Sequence, residues 1–244
     1  MIRCIITDIE GTTTDIDFVQ QILFPYAQAH LAETVFLENQ NQEIAAALNL
    51  LREEISQPDA TAAQLLDILL QWVEQDKKST SLKLLQGIIW RTGYQKGDFT
   101  GHLYDDVLPQ LAVWHDGGIQ LGVYSSGSVE AQQLLFRHSK FGDVTPFFQH
   151  WFDTRSGAKR SVSSYRLIAE QLNIPPDQIL FLSDISQELD AAKEAGWQTC
   201  QLVRGNADFA SCHSQVHRFD QINLQHYFDK ERVSNDKSKN LPRT

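Results

Sequence analysis

The feature that most constrains the fold is a repeated alternation of short apolar segments with helical segments in the second half of the chain. Segments 119–124, 148–152, 179–182 and 199–203 are apolar and of strand length, and stretches with helical spacing of apolar residues separate them. A further apolar, β-branched segment lies at residues 2–7. Strands that alternate with helices form parallel sheets covered by helices on both faces. The sequence therefore predicts an α/β fold with a doubly wound parallel sheet.

Residues 17–100 differ from the rest, because their apolar residues recur at helical spacing in four runs that turn signals separate. We therefore expect a helical cap domain, inserted after the first strand into an α/β core of residues 1–16 and 101–228. The helices expected in this core cover 103–114, 129–137, 164–172 and 188–195. Residues 229–244 are polar and lack periodicity, which predicts a disordered tail.

The charge and hydropathy of the chain exclude several kinds of partner. The formal net charge is −10, which disfavours nucleic acid and anionic membranes because both require a cationic surface. No apolar run approaches the ~20 residues that span a bilayer, and the first residues are too soon charged for a signal peptide. We therefore expect a cytoplasmic protein, and a monomer, since no long exposed apolar stripe is present in the pattern.

Polar residues follow the predicted strands at the carboxyl ends, where open parallel sheets place their functional groups. The residues found there are Asp8 and Glu10 after the first strand, Ser125 and Ser126 after the second, Lys159 after the third and Asp184 after the fourth. Carboxylates, hydroxyls and an ammonium group are therefore expected to converge at one edge of the sheet.

The convergence of Asp8, Glu10 and Asp184 would be unfavourable without a compensating charge. Two like charges ~4 Å apart repel by about 4 kcal/mol at an effective dielectric constant of ~20. A divalent cation would offset this repulsion, and carboxylate and water oxygens are the ligands that Mg²⁺ prefers. The sequence therefore predicts an Mg²⁺ cofactor held by these three residues.

The same residues suit the transfer of a phosphoryl group from a small phosphorylated metabolite. Asp8 could attack phosphorus and form an acyl phosphate, which divides one difficult hydrolysis into two easier steps. Ser125 and Lys159 would hold the phosphate oxygens as charge develops. Glu10 could protonate the leaving oxygen and later activate water. We therefore predict that Asp8, Glu10, Ser125 and Lys159 are catalytic.

Segments 8–13, 121–127 and 181–184, together with Lys159, resemble the ordered motifs of the haloacid dehalogenase-like hydrolases. The first motif of that family usually has two aspartates, whereas this chain has Glu10 at the second acidic position. With that difference, the chain is similar to the enolase-phosphatase branch of the family, which acts in methionine salvage. The segments that carry this second likeness are 7–14, 24–27, 124–128 and 152–154.

The resemblance implies a fold, a reaction and a set of contacts. It implies a Rossmann-like core with a helical cap that closes over the site. It also implies that 2,3-diketo-5-methylthiopentyl-1-phosphate is first enolised and then dephosphorylated to an acireductone. Asp8 and Asp184 would bind Mg²⁺, with Glu10 joining them through its backbone carbonyl. The substrate contacts implied are those of Ser125, Ser126 and Lys159. The base for enolisation is left open between Glu10 and a residue of the cap.

Three other interpretations are compatible with parts of the pattern. A general phosphomonoesterase for sugar phosphates or phosphoglycolate would use the same fold and motifs. A dehalogenase would also use an aspartate nucleophile, but its chemistry requires no Mg²⁺, so Glu10 and Asp184 disfavour it. A non-catalytic phosphoacceptor domain would have a strand-end aspartate but would not require the inserted helices.

Overall fold

The computed structural model describes residues 1–75 and 77–227, so the tail predicted at 229–244 lies outside the described residues. Contacts between residues divide the chain into two compact units. The first unit contains Met1–Asp15, Leu103–Val129 and the chain from Asp143 onward. The second unit contains Ile16–His102 and Glu130–Gly142.

The strands are β1 Cys4–Thr7, β2 Gln120–Tyr124, β3 His150–Phe152, β4 Ile179–Ser183, β5 Gln198–Leu202 and β6 Gln215–Val216. The helices are α1 Ile16–Phe18, α2 Phe24–Val35, α3 Gln42–Glu54, α4 Ala62–Glu74, α5 Thr80–Lys96, α6 Val107–Asp116, α7 Val129–Arg137, α8 Val162–Leu172 and α9 Ser186–Glu194. A π-helical turn, Val19–Leu23, connects α1 to α2. No helix among the described residues is long and apolar enough to cross a membrane.

The first unit is built on a parallel sheet of six strands in the order β3-β2-β1-β4-β5-β6. The predicted doubly wound α/β fold is therefore confirmed. Every residue of β1 is buried, as a strand covered by helices on both faces should be. The chain runs outward from β1 to β3 and then returns to place β4 on the other side of β1. This reversal makes the carboxyl end of β1 the position where such a sheet binds its ligand.

The second unit is helical, and α2 to α5 correspond to the four helices predicted between residues 17 and 100. Polar side chains cap three of these helices at their N-termini. Asn41 accepts hydrogen bonds from two backbone N–H groups of α3, Thr61 forms a capping box with Gln64 at α4, and Ser79 caps α5. Such caps satisfy N–H groups that a helix leaves unpaired. The helices pack on a shared apolar core that includes Leu31, Leu48, Leu65 and Leu85.

The helix α7 has the predicted bounds, but its environment differs from the one expected. Residues 130–142 were expected in the α/β core, whereas the structure groups Glu130–Gly142 with the helical unit. Leu134 of α7 packs in a cluster with Tyr94 of α5, and Arg91 of α5 forms an ion pair with Glu130. Apolar spacing identifies the buried face of a helix but not the surface that buries it, which explains the difference.

One further prediction about the core was inaccurate, and one strand was missed. Helix α6 begins at Val107 instead of residue 103, because the backbone N–H of Tyr104 donates a 3.0 Å hydrogen bond to the carbonyl of Thr13. That contact holds the stretch before α6 next to the loop that follows β1. The edge strand β6 was not predicted, since its two residues are too few to show a periodic pattern.

Arg204, with 12 % of its side chain exposed, fixes the same loop from another side. Nε and Nη2 of Arg204 donate to the carbonyl of Thr12 at 3.0 and 2.6 Å. Nη1 donates to both carboxylate oxygens of Asp106 at 2.9 and 2.8 Å. Asp106 is itself 4 % exposed and also accepts a hydrogen bond from the backbone N–H of Phe219. This network therefore connects the loop after β1 to α6 and to the C-terminal part of the unit.

We expect Asp106→Asn to lower the free energy of unfolding by about 3 kcal/mol, because removal of one partner leaves the other charge buried and uncompensated. Urea denaturation of the variant and the wild type measures this difference. Asp220→Asn is the matched control, since it removes the partner of Arg218 in an exposed ion pair and should leave the urea midpoint unchanged. Equal midpoints for both variants would contradict the role given to Asp106.

Candidate active site

The site lies at the carboxyl end of the central strand, and Asp8 is its central residue. Asp8 follows β1 directly, and its backbone N–H donates to the carbonyl of Leu182 in β4 at 2.8 Å. The ladder therefore fixes Asp8 between two neighbouring strands. Its side chain is 7 % exposed, and Oδ1 accepts a 2.7 Å hydrogen bond from the backbone N–H of Ile9.

Lys159 is the cation closest to Asp8 and lies between two carboxylates. Its Nζ is 2.7 Å from Oδ1 of Asp8 and 2.6 Å from Oε2 of Glu188. The side chain of Lys159 is almost as buried as that of Asp8, with 8 % of its surface exposed. The structure thus brings together Asp8 and Lys159, which were predicted, and adds Glu188.

The protonation of this group follows from its charges. Burial disfavours the charged form of Lys159, but the carboxylates of Asp8 and Glu188 outweigh burial, and the pKa of Lys159 is raised. Burial, and then the negative charge of Asp8, raise the pKa of Glu188. A raised lysine pKa means that the ammonium remains charged at neutral pH and is available to an anionic substrate.

A serine hydroxyl joins the two carboxylates on the side of β4. Oγ of Ser183 lies 3.0 Å from Oε2 of Glu188 and 3.5 Å from Oδ2 of Asp8. One hydroxyl has one proton, and the shorter distance assigns it to Glu188. Oδ1 of Asp8 thus has two close donors, whereas Oδ2 has only the long contact with Ser183 among the described residues.

Asp184 lies against the loop that follows Asp8. A Cβ added to Gly11 would lie 2.4 Å from Oδ2 of Asp184, so only glycine permits this close approach. Gly11 also has a φ of +68°, a left-handed conformation that glycine adopts without strain. The backbone carbonyl of Asp184 accepts a 2.9 Å hydrogen bond from Nε2 of Gln201, which fixes the residue from β5.

The donor set at this edge of the sheet fits a divalent cation. Oδ1 of Asp184 is buried and has no hydrogen-bond partner among the described residues. Burial, and then the charge of Asp8, raise the pKa of Asp184 to about 7. A buried carboxylate oxygen without a partner is rare in proteins and calls for an explanation such as an ion. Asp184 also interacts electrostatically with the carboxylate of Asp8, and carboxylate oxygens suit a hard cation.

The other predicted site residues have less defined surroundings. The side chain of Glu10 is exposed, whereas its backbone pairs with Thr14 across the loop after β1. The side-chain oxygens of Asp8, Glu10 and Asp184 do not all lie within 4.8 Å of one another, so Glu10 can join the others at a cation only through its backbone, as expected, or after a side-chain rearrangement.

Ser125 and Ser126 follow β2, the neighbour of β1. Ser125 is buried, and its Oγ accepts a 3.3 Å hydrogen bond from the backbone N–H of Gly127. Ser126 is exposed. The backbone N–H groups of this short loop follow the strand in the position that suits a phosphate group.

Glu188 and Ser183 are not among the site residues that the sequence predicts. Glu188 lies in the first turn of α9, which begins two residues earlier, where the helix dipole also favours an acid. The available signal was its spacing of four residues from Asp184, which turns its side chain back toward the end of β4. Ser183 is the last residue of β4 and lies within the segment 181–184.

A second cluster of possible metal ligands lies elsewhere in the first unit. One ligand atom each from Asp190, Cys212 and His213 lie within 4.8 Å of one another. Both ring nitrogens of His213 already have protein partners, since Nδ1 contacts Thr199 at 2.9 Å and Nε2 contacts Asp190 at 3.0 Å. The cluster is therefore satisfied without an ion, in contrast to Asp184.

We expect Gly11→Ala to weaken the binding of a divalent cation, because the new methyl group would displace the carboxylate of Asp184. The rise in melting temperature on addition of Mg²⁺ measures this binding and should be much smaller than in the wild type. Gly118→Ala is the control, since Gly118 has a similar φ of +77° and no atom within 4 Å of its added Cβ. An undiminished Mg²⁺ effect in Gly11→Ala would show that Asp184 takes no part in cation binding.

Comparison with known proteins agrees with this geometry. Residues 2–196 match the haloacid dehalogenase-like hydrolase family. The chain is 60 % identical to the enolase-phosphatase E1 of Pectobacterium carotovorum subsp. carotovorum over 93 % of this chain and 99 % of the relative. It is 58 % identical to the enolase-phosphatase E1 of Serratia proteamaculans over 92 % of this chain and 98 % of the relative.

A solved structure gives the same fold. The UTR4 protein of Saccharomyces cerevisiae superposes with a TM-score of 0.75 at 28 % identity, and the alignment covers 91 % of this chain and all of that one. The strand order, the strand-end Asp8 and the matched residues 2–196 lead to one conclusion. The chain belongs to the haloacid dehalogenase-like hydrolases.

Proposed function

We propose that this protein is a bifunctional enolase-phosphatase of methionine salvage. It enolises 2,3-diketo-5-methylthiopentyl-1-phosphate and then hydrolyses the phosphate ester through an aspartyl-phosphate intermediate, which gives the acireductone. The observation that carries the proposal is Asp8, which lies at the carboxyl end of the central strand with its Oδ1 held by Lys159 and Ile9. The identity of 60 % to a protein named enolase-phosphatase supports the choice of substrate.

Asp8 has the geometry of a nucleophile. Its Oδ1 is engaged by two donors, so its orientation is fixed before substrate arrives, whereas Oδ2 is available for attack on phosphorus. The first step forms the bond between Oδ2 and phosphorus and breaks the bond between phosphorus and the ester oxygen of the substrate. Glu10, whose side chain is exposed two residues later, supplies the proton that the leaving oxygen requires.

The second step regenerates Asp8. Glu10, now a carboxylate, takes a proton from water, which attacks the phosphorus of the aspartyl phosphate and releases inorganic phosphate. Lys159 and Ser125 bind the phosphoryl oxygens in both steps, and the charged ammonium of Lys159 stabilises the charge that these oxygens gain. Ser126 provides a further contact to the substrate. A single exposed acid that alternates between the two protonation states is sufficient for both steps.

The cation of the proposal is Mg²⁺, held by Asp8, Asp184 and the backbone carbonyl of Glu10. When bound, it supplies positive charge that allows an anionic carboxylate to approach an anionic phosphate and that favours the enolate form of the diketone. The unpaired Oδ1 of Asp184 is the observation that supports its place at this site. Carboxylate and carbonyl oxygens favour Mg²⁺ over cations that prefer nitrogen or sulfur.

The proposal also includes a monomeric enzyme in the cytoplasm, with no nucleic acid or membrane as a partner. The net charge of −10 supports this part of the proposal, because it would repel both kinds of polyanionic surface. The phosphorylated substrate is compatible with the same charge, since Lys159 and the cation would neutralise the carboxylates of the site locally.

The alternative is a general phosphomonoesterase of the same fold, and a product assay separates the two. Under anaerobic conditions, we expect the enzyme with Mg²⁺ to release phosphate from the diketone phosphate and to form a product with the ultraviolet absorbance of an enol. Sugar phosphates and phosphoglycolate, assayed in parallel, should react with a much lower kcat/KM. A kcat/KM for either of these esters that equals or exceeds that for the diketone phosphate would contradict the proposal.

Asp8→Asn should abolish phosphate release while the protein remains folded, because the amide is no nucleophile and the two side chains have the same shape. Phosphate release and circular dichroism measure the two properties on one preparation. Asp177→Asn, an exposed acid before β4, is the control and should retain full activity. Turnover by a folded, sequence-verified Asp8→Asn variant at more than about 1 % of the wild-type rate would contradict the nucleophile role, since removal of such a group costs several orders of magnitude.

A further inference from the structure

The loop that carries Lys159 is held by an unusual set of hydrogen bonds. Three consecutive backbone carbonyls of this loop each accept a hydrogen bond from a different side-chain hydroxyl. Tyr124 donates to the carbonyl of Gly157 at 3.0 Å, Ser164 to that of Ala158 at 2.8 Å, and Tyr165 to that of Lys159 at 2.6 Å. We refer to these three hydroxyl groups as the hydroxyl row.

The members of the hydroxyl row are themselves rigid. Tyr124 is the last residue of β2, and Ser164 and Tyr165 lie in the first turn of α8. Both tyrosines are fully buried and Ser164 is 3 % exposed. The rings of Tyr124 and Tyr165 pack edge to face with centroids 5.7 Å apart, and Tyr165 also packs against Phe181 of β4. Because the rings are held by the core, their hydroxyls have fixed positions.

All three hydroxyl groups of the row act as hydrogen-bond donors to the loop. Burial raises the pKa of both phenols, so they remain protonated and keep the O–H proton that each donates to a carbonyl. Gly157 has a φ of +109°, and a Cβ there would lie 2.2 Å from Oγ of Ser164. The loop therefore approaches the row more closely than any residue with a side chain would allow.

The position of Lys159 makes this arrangement relevant to the reaction. The carbonyl of Lys159 is bonded to Tyr165, and the other end of the same residue contacts Asp8 and Glu188. The ammonium of a lysine lies at the end of a flexible four-carbon side chain. Its position is therefore accurate only when the backbone of the lysine is fixed. In the free enzyme, the two ion pairs would hold the ammonium in place. A bound phosphate group would draw the ammonium partly away from Asp8 and Glu188, so the ion pairs alone would no longer fix it.

We propose that Tyr124, Ser164 and Tyr165 are positioning residues that hold the backbone of Lys159 while its ammonium moves from the carboxylates to the phosphoryl group. The inference rests on the proposed function of Lys159 as a phosphate ligand. It predicts that loss of a hydroxyl impairs the chemical step more than it impairs folding.

Tyr165→Phe and Tyr124→Phe remove one hydroxyl each and keep the ring. Tyr94→Phe is the matched control, because Tyr94 is also buried and its hydroxyl has no hydrogen-bond partner among the described residues. We expect kcat to fall about 10-fold in Tyr165→Phe, since misplacement of a reacting group by a fraction of an ångström has effects of this order. KM and the melting temperature should change little, and Tyr94→Phe should match the wild type.

A double-mutant cycle with Lys159→Met separates positioning from a general structural effect. If the hydroxyl acts through Lys159, Tyr165→Phe should change kcat less than about 2-fold in the Lys159→Met background. The same 10-fold loss in both backgrounds, or no loss in either Tyr165→Phe or Tyr124→Phe, would overturn the inference. If Tyr165→Phe does not fold, Tyr124→Phe and Ser164→Ala supply the same comparison.

All variants are assayed with both p-nitrophenyl phosphate and the diketone phosphate. Hydrolysis of the first ester but not of the second by the wild type would refute the proposed substrate, and the cycle would still decide the role of the hydroxyl row. If the wild type hydrolyses both esters and the variants have the same kcat as the wild type, the positioning role of the hydroxyl row is refuted and the proposed substrate is not.

Discussion

The structure depends on a buried group of charges at the carboxyl end of the central strand. Asp8, Glu188 and Asp184 contribute three carboxyl groups, and Lys159 contributes one ammonium group. With every group ionised, the sum is two negative charges, which one divalent cation would neutralise. Such a group is unfavourable in isolation, and a divalent cation would offset the repulsion.

The elements around this group restrict its movement. The parallel ladder fixes Asp8 beside β4, and Arg204 holds the carbonyl of Thr12 in the loop beyond it. Gly11 allows that loop to touch Asp184, and the hydroxyl row holds the backbone of Lys159. Asp8, Asp184 and Lys159 are thus each fixed through a hydrogen bond of their own backbone, which is the preorganisation that electrostatic stabilisation of a transition state requires.

The sequence was sufficient for the fold and for the residues that end the strands, because both depend on local patterns. Alternation of strands and helices predicts the parallel sheet, and the rule for strand ends then identifies Asp8 and Lys159. The contacts of Glu188 and Arg204 could not be predicted in this way. Each is an ordinary charged residue in its own segment, and its role comes from partners 29 and 98 positions away in the chain.

The same limit explains the assignment of α7. Its apolar spacing predicted a helix with the correct bounds, but the cluster that receives Leu134 includes residues of the inserted segment. Packing partners that are distant in sequence leave no periodic signal.

The central claim is that Asp8 and Asp184 share one divalent cation. The most direct measurement is a crystal structure of the wild-type protein grown with Mn²⁺ as a substitute for Mg²⁺, with anomalous scattering used to locate the ion. The account predicts one anomalous peak within about 2.5 Å of carboxylate oxygens from both residues, the distance range of such bonds. A structure at saturating Mn²⁺ in which the two carboxylates have no ion in common would contradict it.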